Sequence, residues 1–530
     1  MAEGNVMEKI VSLCKRRGFV YQASEIYGGI NGFWDYGPLG SLLKNNIRDS
    51  WWRTMVEAPP IGPDGHPIDM VGVDTSIIQN PKTWVASGHA GTFADAMVDH
   101  SVSKKRYRAD HLWVVFPSSP KRFGIAVEAS TIAEAQQTFR DAEDAGRYAK
   151  IYKDAQRRFG FDPKAGRTYG WNQATKLVDF ERSDIYPPNG AEPGSLTEPR
   201  PFNLMLKSQI GAVDPIDAYL RPETAQGIFL NFKNIMDTTR VKIPFGVAQI
   251  GKSFRNEVTP RNFIFRSREF EQMEMEFFCH PDESRKWYEF WKAERMRWWK
   301  SLGIKEENLK LRDHEQDELS HYSKMTVDIE YKYPFTAPDF GELEGIAHRG
   351  CFDLTQHQEH SGNRLDYFDQ ELQLKLKAEG KGEEEVKQKS RYIPNVIEPA
   401  SGLTRAVLVL LCEGYAEDAT RPSPVYMKFD PKMAPIKAGI FPLVNKEGMP
   451  EVAEKLYMDL RTKFMCEYDP KQSIGKRYAR MDEIGTPYCV TIDGQTLTDQ
   501  TVTIRERDTL KQERVSLDKV GGYLSERLGH

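Results

Sequence analysis

No stretch of the sequence restricts the fold as tightly as Gly251 to Phe278, where charged and apolar residues alternate on either side of a loop containing Pro260. The pattern predicts a strand, a loop and a returning strand, hence an antiparallel hairpin. Strand side chains alternate with period two, which puts Arg255 and Glu257 on one face of the first strand. On the second, Arg266, Arg268, Phe270, Gln272, Glu274 and Glu276 share a face. Buried charges need partners, so this face is either a wet surface of mutual Arg–Glu pairs or a wall built for a charged ligand. The residue types favour the wall. Arg255 carries a fork that grips phosphate, and Phe270 a ring that stacks on a nucleobase. Glu257 can accept from an exocyclic amine or orient an arginine, and Glu274, deeper along the strand, can accept from an ammonium.

Two further segments suit the same kind of ligand. Pro394 to Leu411 reads as a strand, a tight turn and an apolar helix with Arg405 in its first turn. A cation there opposes the helix dipole unless an anion sits beside it. Within Gly341 to Gly350, Glu342 and Glu344 form a carboxylate pair that suits Mg2+ beside phosphates, or an ordinary surface.

A chain of 530 residues exceeds one compact core, and at ~100–200 residues per domain two to four domains are expected. The longest apolar run, Ala406 to Cys412, is far below the ~20 residues that span a bilayer, so no membrane is expected. Met1-Ala2-Glu3-Gly4-Asn5 has neither the basic start nor the apolar stretch of a secretory leader, and a cytoplasmic protein is expected. Lys and Arg total 73 against 77 Asp and Glu, so any polyanion must be held by local basic clusters rather than by a bulk field. The six cysteines are scattered, without a C-x-x-C pair, which favours reduced buried thiols over disulfides.

The expected organisation has four parts. Residues 1–112 open a first domain and include a helix that starts at Pro38. Its Leu39, Leu42, Leu43, Ile47, Trp51, Trp52 and Met55 recur at helical spacing and face either the chain's own core or a second subunit. Residues 113–170 form a mainly helical insertion, with Thr131 to Lys153 rich in Ala, Glu, Gln and Arg. Residues 171–428 complete the first domain. Residues 431–530, beyond the Pro422 to Pro435 boundary, alternate strands and helices as a small α/β domain. Its Lys471, Lys476, Arg477 and Arg480 form either an RNA patch or, more simply, a solvated face.

These residues resemble a known family. Phe254-Arg255-Asn256-Glu257 with Phe265 to Phe270 resembles motif 2 of the class II aminoacyl-tRNA synthetases; Gly402-Leu403-Thr404-Arg405 resembles motif 3, and the Pro38 helix motif 1. Gly32 to Leu43, Arg106 to Leu112, Leu196 to Leu206, Leu220 to Phe229 and Phe270 to Phe278 narrow the likeness to the homodimeric type of glycyl-tRNA synthetase. The resemblance implies an α+β fold: a catalytic domain over residues 1–112 and 171–428, an antiparallel sheet flanked by helices, followed by a C-terminal anticodon-binding domain over 431–530. It implies a cytoplasmic homodimeric ligase of protein biosynthesis that joins glycine to the 3′ end of tRNA(Gly) through a glycyl-adenylate. The alternatives are an adenylating paralogue with another acceptor and an inactive RNA-binding protein.

The resemblance also implies residue roles. ATP would meet Arg255, Asn256, Glu257, then Phe265, Arg266, Ser267, Arg268, Glu269 and Phe270, then Glu342 and Leu343, then Gly402, Leu403, Thr404 and Arg405. Arg255, Glu257 and Arg405 would carry catalysis, with Mg2+ at Glu342. Glycine would meet Arg108, Glu223, the run Phe270, Glu271, Gln272, Met273 and Glu274, and the run Glu398, Pro399, Ala400, Ser401 and Gly402. Glu223, Glu274 and Glu398 would read the ammonium, with steric closure excluding larger amino acids. The family usually has Glu-Pro-Ser ahead of the motif 3 glycine, whereas this chain has Glu398-Pro399-Ala400-Ser401, which displaces the hydroxyl by one residue. Bacterial relatives often carry cysteine pairs near Arg106 and ahead of Leu196. None stands here, and Asp99, His100 and His111 do not replace them, so no zinc is expected.

Overall fold

The computed structural model describes residues 4–117, 123–129, 131–162, 168–173, 182–188, 190, 192–315, 318–320, 323–446 and 448–529. They fall into two compact units, one of Met1–Ser87 with Leu206–His530, the other of Gly88–Met205.

The first unit is built on a seven-stranded sheet. In chain order its principal elements are α1 (Gly4–Arg17), α2 (Pro38–Trp52), β1 (Asp69–Gly72), α3 (Ala225–Thr239), β2 (Phe245–Phe254), β3 (Glu269–Cys279), α4 (Ser284–Ser301), β4 (Leu309–Asp313), β5 (Met325–Tyr331), β6 (Gly341–Gly350), α5 (Phe352–Ser361), β7 (Asn395–Gly402) and α6 (Leu403–Gly414). The strand order is β4-β5-β6-β7-β3-β2-β1, antiparallel throughout except for the β1–β2 pair. Helices cover both faces. Met273, Met275 and Phe277 of β3 pack with Trp287 and Trp291 of α4 and the apolar body of α6. On the opposite face Phe278 packs with Phe229 and Phe232 of α3.

This alternation positions the site. Phe278 lies under α3, and the same face of β3 continues through Glu276, Glu274, Gln272 and Phe270 toward the end that α3 does not cover. The helix begins at Ala225, directly after Glu223 and Thr224, so its first turn stands beside Glu274.

The helix α2 begins with Pro38 at its first position, where the missing N–H costs nothing. Leu43, Ile47, Trp51 and Met55 enter the core. Leu39 and Leu42, on its flank, pack against Ile436, Phe441 and Met481 of the C-terminal part. Part of its apolar face is thus used within the chain, and Leu39 and Leu42 remain only partly buried.

The C-terminal part comprises β8 (Ala438–Pro442), α7 (Met449–Leu460), β9 (Cys466–Tyr468), α8 (Ile474–Ile484), β10 (Tyr488–Ile492), β11 (Thr501–Glu506), β12 (Gln512–Ser516) and α9 (Val520–Leu528). Its sheet runs β9-β8-β10-β11-β12, parallel around β8 and antiparallel beyond β10. The basic patch read from the sequence does not assemble as such. Arg477 is buried and donates to the carbonyls of Pro442, Leu443 and Asp469, while Arg480 pairs with Glu467 and Asp469.

The second unit, Gly88–Met205, is wider than the 113–170 insertion expected from sequence. It has the helices Ile132–Asp144 and Ala149–Phe159, but also a four-stranded sheet of Leu112–Pro117, Gly124–Glu128, Tyr169–Gln173 and Ile185–Tyr186. A three-stranded sheet of Ala94–Asp99, Arg106–Arg108 and Arg200–Asn203 completes it. The strands are short, and Tyr169–Gln173, Ile185–Tyr186 and Arg200–Asn203 pair with strands far away in sequence, so local periodicity registers the helices more strongly than the sheets.

Candidate active site

A cleft of about 360 Å³ opens over the uncovered end of the sheet. Among the sequence-predicted residues it is lined by Glu223, Arg255, Glu257, Phe265, Arg266, Ser267, Phe270, Gln272, Glu274, Glu342, Leu343, Glu398, Ala400, Ser401, Gly402, Thr404 and Arg405. It also gathers Ile264, His314, Ser320, Thr326, Asp328, Gly345 and Ala347, which sequence reading missed. His314 and Asp328 form a contact at 2.8 Å, but their signal is one of tertiary pairing between β5 and a loop, not of local pattern.

One end of the cleft is cationic and aromatic. The strand β2 ends at Phe254, so Arg255 and Glu257 sit in the loop beyond it rather than within the strand. The amide of Glu257 donates to the Arg255 carbonyl at 2.7 Å, and left-handed Asn262 and Phe263 turn the chain back, which ends the pairing early. The Arg255 guanidinium donates to the Pro222 carbonyl at 3.1 Å and lies over the Phe270 ring, 5.3 Å from its centroid. Opposite, Arg405 bonds the Glu342 carboxylate at 3.1 Å and lies over Phe265 at 4.6 Å. This ion pair explains a cation in the first turn of α6. The Arg405 charge holds the Glu342 carboxyl below its usual range.

The other end is acidic. Register sets it: Glu274 pairs across from Ala400, and Ala347 across from Glu398, so both carboxylates rise on the same face as Ala400. Glu274 accepts from the Thr224 amide at 2.9 Å, from the Thr224 hydroxyl, and from Gln272 Nε2 at 3.3 Å. Glu398 accepts from Arg349 Nη1 at 2.5 Å, and Arg349 grips Asp353 of α5 with two bonds of 2.8 Å. Glu223 accepts from Gln226 Nε2 at 2.9 Å and stands 4.0 Å from Arg349. Burial, with the Glu398 and Glu223 carboxylates beside it, pushes the Glu274 carboxyl well above its usual range.

Several predicted residues stand elsewhere. Glu269 and Glu271 alternate away from the cleft and pair with Lys252 and Lys44. Met273 and Leu403 enter the core. Arg268 donates to the carbonyls of Asn31 and Glu257, and neither it, Asn256 nor Pro399 lines the cleft. Arg108 belongs to the second unit, where Asp95 and Asp110 hold it. Ser401, although at the cleft wall, pairs across from Met273, is buried, and donates its hydroxyl to the Met273 carbonyl at 3.4 Å. In the second unit Asp99 is paired with Arg106, and His100 Nδ1 contacts the Ser103 hydroxyl at 2.6 Å.

Residues 214–415 match the tRNA synthetase class II core domain (G, H, P, S and T), and residues 437–527 match the anticodon binding domain. The antiparallel sheet and its two-ended cleft are thus those of a class II aminoacyl-tRNA synthetase, a class that works with ATP and a divalent metal. The chain is 47% identical to the glycine–tRNA ligase of Rhodopirellula baltica, covering 98% of this chain and 99% of that one. It is 45% identical to that of Corynebacterium glutamicum (100% and 99%) and 44% identical to that of Bifidobacterium longum (99% and 93%). At that identity over the full length, the chain belongs to the glycine–tRNA ligase family.

Proposed function

We propose that the protein ligates glycine to the 3′ end of tRNA(Gly) in two steps. A glycine carboxylate oxygen attacks the α-phosphorus of ATP in line, and pyrophosphate leaves. The tRNA 3′-hydroxyl then attacks the adenylate carbonyl, and AMP leaves. No protein nucleophile is needed, so catalysis is positioning and charge stabilisation. Arg255 grips the α-phosphate region and Arg405 the γ-phosphate region, with Phe270 against the adenine.

The observation that carries this reading is the division of one cleft into a cationic, aromatic end and a buried acidic end holding Glu223, Glu274 and Glu398. An ammonium is the ligand that lets these crowded carboxylates ionise together. Its arrival releases the proton that Glu274 holds, so glycine affinity rises with pH until that proton is gone. Hard oxygen donors suit Mg2+, and Glu342, half exposed at the cleft, would hold it with the phosphates and offset their charge. The homodimeric, cytoplasmic form of the family belongs to the same reading.

The test is amino-acid-dependent ATP–pyrophosphate exchange without tRNA, with glycine, alanine and serine in turn. Exchange with glycine alone is expected. Absence of exchange with all three overturns the adenylation step, and strong exchange with alanine overturns the closed acidic pocket.

A further inference from the structure

Behind the acidic end lies a carboxyl that the reading above does not use. Glu276 is two residues beyond Glu274 on the same face of β3 and is 0% exposed. Neither of its oxygens meets a hydrogen-bond donor among the described residues. Its neighbours are acceptors: Glu274, Glu276 and Glu398 each bring a carboxylate oxygen within 4.8 Å of the other two. The groups that face it are Glu274 on its own strand, Glu398 on β7, and Arg349 on β6. Asp353 on α5 and Glu223 before α3 stand behind them, and both contact the same Arg349.

Arg349 already serves Glu398, Asp353 and Glu223. An ionised Glu276 would add a further buried anion that accepts from no donor among the described residues and shares a single cation, Arg349, with three other carboxylates, an arrangement costing several kcal/mol. A neutral carboxyl removes that cost and brings a donor of its own, the O–H, beside the acceptor oxygens of Glu274 and Glu398.

We infer that Glu276 is a positioning residue for the amino-acid site: as a neutral carboxyl it donates its proton in a hydrogen bond to Glu398, fixing that carboxylate between Glu276 and Arg349 with its remaining lone pairs toward the substrate ammonium. The inference rests on the proposed glycine site and adds a residue outside it. Burial first, and the neighbouring Glu398 second, hold the Glu276 carboxyl well above its ordinary range, in keeping with this role. The bond from Glu276 in turn lowers the Glu398 carboxyl against the burial that raises it.

The sign of a pH shift tests it. Glycine binds the ionised acidic cluster, so kcat/KM for glycine in the exchange reaction falls on the acid side as the cluster protonates. In Glu276→Gln the amide still donates to Glu398. The acid limb is expected to stay within about 0.3 unit of the parent's, and KM for glycine within about threefold. In Glu276→Leu the donor is lost, Glu398 holds its proton more tightly, and the limb moves up by about one unit. KM for glycine rises at least tenfold while KM for ATP stays put. A downward shift in the leucine variant means that Glu276 is ionised in the parent and overturns the inference. So does an unmoved limb, or a glutamine variant as impaired as the leucine one.

Infrared difference spectroscopy of the full chain against Glu276→Gln gives a readout independent of activity and of the leucine variant's folding. Glu274 holds its proton in both proteins, so the parent is expected to show the carbonyl stretch of one more protonated buried carboxyl than the variant. Absence of that parent-minus-variant band at neutral pH overturns the inference. Should the parent show no glycine-dependent exchange, the proposed function falls, and the infrared comparison alone decides whether Glu276 carries the proton.

Discussion

At the scale of single residues, Arg349 is where the acidic end of the cleft is held together. It is almost fully buried and touches Glu398, Asp353 and Glu223, which come from three different segments. Removing one partner of a buried ion pair costs about 3–5 kcal/mol, because the opposite charges are left without compensation. Arg349→Leu is therefore expected to lower stability by about that much in chemical denaturation and to raise KM for glycine at least tenfold, as Glu398 keeps its proton. Arg349→Lys keeps a point charge but not the two-pronged grip on Asp353, and falls between. A leucine variant with unchanged glycine KM would detach Arg349 from the site. The carboxylates Glu223, Glu274 and Glu398 were legible in the sequence because each stands in a motif with a distinctive local pattern. Arg349, Asp353 and Gln226 were not, because their roles exist only once β6, α5 and α3 converge.

At the scale of elements, strand alternation was the most readable signal and its limits the least. Phe270, Gln272, Glu274 and Glu276 share a face as period two requires, but Arg266 and Arg268 precede the strand and part company. The same alternation separates Ala400 from Ser401. One step along β7 turns a side chain to the other face, so the Ser401 hydroxyl donates to the Met273 carbonyl while Ala400 shares the face of Glu274 and Glu398, and both residues stand at the cleft wall. The helix α2 was visible in its apolar spacing, but its close approach to the chain before it was not. A Cβ on Gly40 would stand 1.8 Å from the Phe19 carbonyl oxygen, a backbone atom that cannot swing aside. Gly40→Ala is expected to cost about 3 kcal/mol, the upper end of overpacking, despite alanine's better helix propensity. A fall in the thermal midpoint checks it; a rise would mean that α2 slides freely along its neighbour.

At the scale of the whole molecule, the first unit joins a catalytic sheet to a C-terminal domain, and the joint has specific contacts. Arg16 and Arg17 of α1 both bond Glu483 of α8, whose side chain is only 9% exposed. Leu39 and Leu42 of α2 pack beside Phe441 and Met481. Arg507 reaches back to the Phe429 carbonyl at 2.7 Å. None of these residues lines the cleft, so the joint and the adenylation chemistry are separable. Glu483→Gln keeps the volume and removes the charge that two arginines share. Amino-acid activation needs only the cleft, and its exchange rate is expected to stay within about twofold of the parent's, below the ~1.4 kcal/mol that a tenfold change represents. Charging of tRNA needs the anticodon-binding domain and the cleft at a fixed spacing. Its KM for tRNA is expected to rise several-fold. Parallel measurement of exchange and charging decides the matter. Equal losses in both reactions would show that Glu483 supports the fold at large, and no loss in either would mean that the apolar contacts of Leu39 and Leu42 fix the domain without it.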